Sequence, residues 1–79
     1  MEVLDKKLVD ELIRISKKIH KTGDMDLYGN YSNAKEKVED IADWKVTNII
    51  SHLSNHAQLT NGTYQQIYDC LKILGYEVK

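Results

Sequence analysis

The chain has no proline, no phenylalanine and one cysteine, and no apolar run approaches the ~20 residues of a membrane span. Each absence excludes something. Without proline, nothing forces a helix to kink or stop, so long helical segments are favoured. Without phenylalanine, the core must be aliphatic, with the five tyrosines and one tryptophan at its edges. A lone Cys70 rules out an intramolecular disulfide. The opening Met-Glu-Val-Leu-Asp-Lys-Lys is charged and lacks the apolar segment of a signal peptide, so a cytoplasmic protein with no membrane partner is expected. Asn30-Tyr31-Ser32 and Asn61-Gly62-Thr63 match the glycosylation pattern, but without secretion they mark only loops.

What remains fits one small globular unit, residues 1–79. The hydrophobic content of 42% is too high for disorder. A chain this short buries only about 60% of its unfolded surface, which leaves little room for both a core and a roomy catalytic cleft.

Helical periodicity dominates. Leu4, Leu8, Leu12, Ile15 and Ile19 recur at steps of three and four, predicting a helix over about residues 3–20, with Val9 and Ile13 flanking the stripe. Gly23 reads as its stop, and residues 23–32 read as a loop. A second helical stretch is expected over 33–57, with Asn33 as N-cap. Its stripe is not constant. Ala34, Val38, Ile41 and Ala42 share one direction, while Val46, Ile49, Ile50, Leu53 and Ala57 lie roughly a quarter-turn away at ~100° per residue. One straight helix cannot put both sets in one core, so a break is predicted near 44–48. The last stretch, 63–74, carries a capping-box pattern at Thr63 and Gln66 and a stripe of Tyr64, Ile67, Tyr68, Leu71 and Leu74. Gly75 is its stop, with Tyr76 placed to fold back on Leu71. The fold class expected is all-α, a small bundle of three to four helices.

Chemistry-bearing patterns are sparse. Asp24-Met25-Asp26-Leu27-Tyr28-Gly29 matches three positions of a calcium loop, but Tyr28 and Lys35 stand where oxygen ligands are required. His52 and His56 share a helix face without the glutamate of a zinc protease motif. No metal and no cofactor is therefore expected. Cys70 has Asp69 beside it and no local group that obviously lowers its pKa. The acids Glu36, Glu39, Asp40 and Asp43 read as one solvated flank. No glycine-rich phosphate loop and no paired-carboxylate signature occurs, so a non-enzyme is expected.

The charges are unevenly distributed. Residues 1–40 carry 17 charged side chains and residues 41–79 carry six. Interface cores are depleted in charge, so the second half is the better contact surface. Trp44 points away from both stripes, Ile73 points opposite the last helix's stripe, and Tyr28 and Tyr31 sit in the expected loop. Trp44 with Lys45, Asn48, His52 and Asn55, joined by Ser51, forms a nearly uncharged ribbon suited to another protein or to a second copy. Arg14, Lys17, Lys18 and Lys21 form a basic face opposite the first stripe, the alternative site, for phosphate. A DNA reader would use Asn48, Ser51, His52 and Asn55 on base edges. The net charge of −1 and the separation of the two sets weigh against nucleic acid.

The ending Leu71-Lys72-Ile73-Leu74-Gly75-Tyr76-Glu77-Val78 resembles the close of some small helix-turn-helix repressor domains. The resemblance covers these eight residues and implies DNA binding. Upstream, the turn before the would-be recognition helix lacks its usual small residue. The role expected from the residues is a small protein-binding adaptor, inhibitor or regulator. The composition, rich in Asn, Lys, Ile and Tyr, suits an AT-rich bacterial or phage genome.

Overall fold

Asp5 decides where the first helix begins. Its carboxylate accepts the Lys7 N–H at 2.9 Å, as an N-cap does. Helix α1 therefore runs Lys6–Thr22, not from Val3, and Glu2–Leu4 ahead of the cap is extended as strand β1. The computed structural model describes residues 2–54 and 63–79. Gly23 stops α1 as predicted. Its φ of 67° is left-handed, and its N–H reaches the Ile19 carbonyl at 2.7 Å.

The expected loop over 23–32 is mostly helical. Asp24 accepts the Asp26 N–H and caps a single 3-10 turn, Met25–Leu27. That turn runs straight into helix α2, Tyr28–Glu39. Asn33 is thus mid-helix, not an N-cap. Gly29 sits inside α2 without a positive φ, and Asn30-Tyr31-Ser32 is helical. The break between the two apolar stripes exists, but it lies at residues 40–43, just ahead of the predicted place. Asp43 accepts the Lys45 N–H at 3.0 Å. The cap restarts the chain as helix α3, Trp44–Ser54, with a new phase. Thr47 ties the two helices together: its buried hydroxyl lies 3.1 Å from the Glu39 carboxylate and 2.8 Å from the Trp44 carbonyl. Ala57 and the end of the predicted second stretch lie outside the described residues.

Helix α4, Thr63–Ile73, ends at Gly75, whose φ is 99°. The chain then runs on as strand β2, Tyr76–Val78, which packs against α4, with Tyr76 half-buried against the core that holds Leu71. Strands β1 and β2 pair in parallel, Glu2 beside Tyr76 and Leu4 beside Val78. Backbone bonds extend the pair at both ends, from Glu2 N–H to the Gly75 carbonyl and from Lys6 N–H to the Lys79 carbonyl. The capping-box expectation rests on the Thr63 side chain, which lies outside what the structure describes.

The bundle closes around α1, which packs against both α2 and α3. That double contact corrects the reading of its flank. Val9 and Ile13 are fully buried along with Leu12 and Ile15, while Leu8 and Ile19 are half-buried. Ala34 and Val38 of α2, Val46 and Ile50 of α3, and Ile67 and Leu71 of α4 complete the core, with Leu4 inserted from β1. Leu74, expected in the core, is 52% exposed, because it belongs to the turn after α4 rather than to its stripe. No helix among the described residues is long and apolar enough to cross a membrane.

Candidate functional site

Trp44 is the first residue of α3, and at 60% exposure it belongs to neither core stripe. The break at 40–43 explains this. Val46 and Ile50 turn inward from the cap at Asp43, which leaves position 44 facing out. The Lys45 ammonium lies 6.0 Å from the centre of the indole ring, the outer limit of a cation–π contact. Asn48 and His52 follow Trp44 at steps of four, so all three share one side of α3, and all are exposed. Ser51 departs from the ribbon. It is half-buried, and its hydroxyl bonds to the Tyr31 hydroxyl at 2.7 Å, joining α3 to α2. Asn55 lies outside the described residues, as does His56.

The ribbon is one wall of a groove. An open hollow of about 800 Å³ is lined by Asn48, Ile49, His52 and Leu53 of α3, with Cys70, Ile73 and Leu74 of α4 and its turn. None of the seven carries a formal charge with histidine neutral. Ile73 is 84% exposed, the most exposed large apolar side chain among the described residues. One apolar stripe per helix does not reveal this wall, although Ile73 stands off-stripe in the sequence. The signal was a second row on α4. Cys70 and Ile73 are three apart, on a row that flanks the Ile67–Leu71 side, with Cys70 half-buried and Ile73 turned furthest out. Such a row is recognisable as surface only once α4 is known to use the Ile67–Leu71 side for its core.

The alternative basic site is partly committed elsewhere. Arg14 and Glu11 form an ion pair at 2.7 Å. Their hydrogen bond and mutual charge hold the Glu11 carboxyl below its usual range and raise Arg14. Lys17 is half-buried, with its ammonium 5.6 Å above the Tyr64 ring. Lys18 and Lys21 remain exposed. The same α1–α4 seam carries Lys6 over the Tyr68 ring at 5.7 Å. There the Tyr68 hydroxyl donates to the Asp10 carboxylate. Burial, then this carboxylate, pushes the Tyr68 hydroxyl well above the ordinary tyrosine range, and burial also raises Tyr64.

Lesser hollows lie elsewhere on the described surface, one of about 160 Å³ between Glu11 and Ile15 of α1 and Asn30, Ala34 and Lys37 of α2. Lys6, Asp69, Lys72 and Glu77 line a mixed-charge cleft of about 290 Å³ with Tyr68. Ser16, Ile19, Tyr28 and Tyr31 line one of about 130 Å³ between α1 and α2. The described residues hold no group of three or more histidine, cysteine or acidic side chains placed to share a metal ion. Asp24, the first acid of the calcium-like loop, is used as a helix cap.

Compared with protein-family models, curated proteins and solved structures, the chain finds no match.

Proposed function

We propose that this chain is a small non-enzymatic protein-binding module, an adaptor, inhibitor or regulator, and that it binds through Trp44 and the α3–α4 groove. The observation that carries the reading is an uncharged apolar groove walled by Ile73 at 84% exposure, with a 60%-exposed tryptophan one turn away along α3. Exposed apolar side chains are normal when scattered. Gathered beside a hollow and edged by Asn48 and His52, they match the apolar centre and polar rim of a binding surface. Tryptophan is the commonest anchor of such surfaces. An open hollow suits side chains presented by a partner helix better than an enclosed small molecule. Nucleic acid has thinner support, because Arg14 and Lys17 of the basic face already have partners and only Lys18 and Lys21 are left to meet phosphate.

The test is a photo-cross-linking residue at position 48 in cells producing the protein. Discrete protein adducts should form, vanish with Trp44→Ala and persist with Lys18→Ala. Truncating a central tryptophan typically costs at least ~2 kcal/mol of binding, and truncating a rim charge little. The Trp44→Ala protein should keep its melting temperature. Should Trp44→Ala change nothing while Lys18→Ala and Lys21→Ala weaken binding to random duplex DNA, in a manner that fades with salt, DNA replaces protein as the partner.

A further inference from the structure

The α3–α4 pair carries more apolar surface than its own core uses. Val46 and Ile50 of α3 meet Ile67 and Leu71 of α4 in the core. Ile49 and Leu53, half-buried against that core, also line the groove on its outer side, together with half-buried Cys70 and the exposed Ile73 and Leu74. A helix with two apolar faces belongs between two layers, and the described residues supply only one of them.

We propose that the missing layer is a second copy of this chain. The two α3–α4 pairs would pack across a two-fold axis into a four-helix arrangement, with Ile73 of each copy seated in the groove of the other. The proposal rests on the reading of the groove as a binding surface and names its occupant. A two-fold interface must be self-complementary, each patch offering both a projection and a hollow. Here both lie on one patch: the projecting Ile73 borders the hollow between Ile49, Leu53 and Cys70.

Charge permits the pairing. Like charges brought together at an interface cost several kcal/mol, which is the usual bar to self-association. The lining has no formal charge, and the chain as a whole carries −1. The nearest charges along the two helices are Lys45, Asp69 and Lys72, which are of both signs.

Size sets the strength. Each helix has 11 residues and is about 16 Å long. A standard interface takes ~800 Å² from each partner. Two such short helices offer less, so the pair belongs to the weak, concentration-dependent class rather than to obligate dimers.

Cys70 is the only cysteine of the chain and lines the groove, so its thiol reports directly on whether the groove is covered. The experiment has two readouts, sedimentation equilibrium and the rate of Cys70 alkylation by iodoacetamide. Both are followed from about 10 μM to about 1 mM, the range in which low-end interfaces assemble. The expected result is a mass that rises toward twice the monomer while alkylation per thiol slows in parallel. Ile73→Lys should stay monomeric with rapid alkylation at every concentration. Lysine near the end of α4 suits the helix dipole, so the variant should fold; Ile73→Gln serves if it does not. Met25→Asp, at an exposed apolar residue of the 3-10 turn, should pair like the parent. Three results would overturn the pair: a monomer at the highest concentration, association that leaves the Cys70 rate unchanged, or Met25→Asp disrupting as much as Ile73→Lys. If the pair fails but position-48 adducts to other proteins persist and vanish with Ile73→Lys, the protein-binding reading stands without self-association. If both fail, both are wrong.

Discussion

Leu71 and Ile73 are two residues apart on α4 and occupy opposite environments. Leu71 is fully buried, so Leu71→Ala should cost about 2–5 kcal/mol through lost transfer energy and a cavity. Ile73 is mostly in water, so Ile73→Ala should stay within about 0.5 kcal/mol. Urea unfolding midpoints of the two variants check both numbers, and equal costs would put α4 in the wrong rotation. Tyr68 supplies a test by pH. Its folded-state pKa is raised above the unfolded value of about 10, chiefly by burial and then by its bond to Asp10. A raised pKa contributes stability that is present below the unfolded value and lost as pH climbs through the folded one, because only the unfolded chain releases the proton easily. Stability should therefore fall on the alkaline side of about pH 10. Tyr68→Phe should flatten that fall, leaving the smaller slope due to Tyr64, which is raised in the same direction. Melting temperatures across that range, parent against variant, decide it.

Among the elements, the strand pair is the one that helical periodicity could not announce. Leu4 fits the i, i+4 row with Leu8 and Leu12, so it reads as the first turn of a helix. It is indeed buried, but as the last residue of β1, because Asp5 caps the helix only after it. Three-residue strands are too short for an alternation to show. The pair makes its own prediction in hydrogen exchange. The Lys79 N–H donates to the Leu4 carbonyl at 3.0 Å, and Lys6 N–H to the Lys79 carbonyl at 2.9 Å. These two amides should exchange far more slowly than those of Asp24 or Gly29, although Lys79 is the last residue of the sequence. Equal rates would mean that the strands do not pair in solution. The break ahead of α3 was legible as a necessity from the change of stripe direction. Its place was not, because Asp43, whose carboxylate accepts the Lys45 N–H and caps α3, reads in the sequence as part of a solvated acidic flank.

At the scale of the whole molecule, β1 and β2 bring the two ends of the sequence together and put the helices on one closed path. Closing so long a loop costs little more than closing a short one, since each doubling adds only about 0.6 kcal/mol. The pair is therefore affordable in a chain with a small core. A weak two-fold assembly would add stability by mass action, because the partner binds only the folded chain. The melting temperature of the parent should thus rise with protein concentration, and that of Ile73→Lys should not. Scanning calorimetry over a hundredfold range of concentration separates the two.

Residue order by itself determined the class, since no proline and repeated three-and-four spacing leave few alternatives to packed helices. It also determined the stop at Gly23 and the stop at Gly75, where a left-handed residue must be glycine, and it marked Trp44 as off-stripe. These are local facts, written in propensity and spacing. Tertiary structure decided the rest. It decided that α1 lies between two neighbours and so buries Val9 and Ile13. It decided that Ser51 belongs to Tyr31 and not to an open ribbon, and that Leu74 faces a groove and not the core. Each of these depends on which helix stands beside which, and that choice is made by the sum of many distant contacts, which no single stretch of the chain encodes.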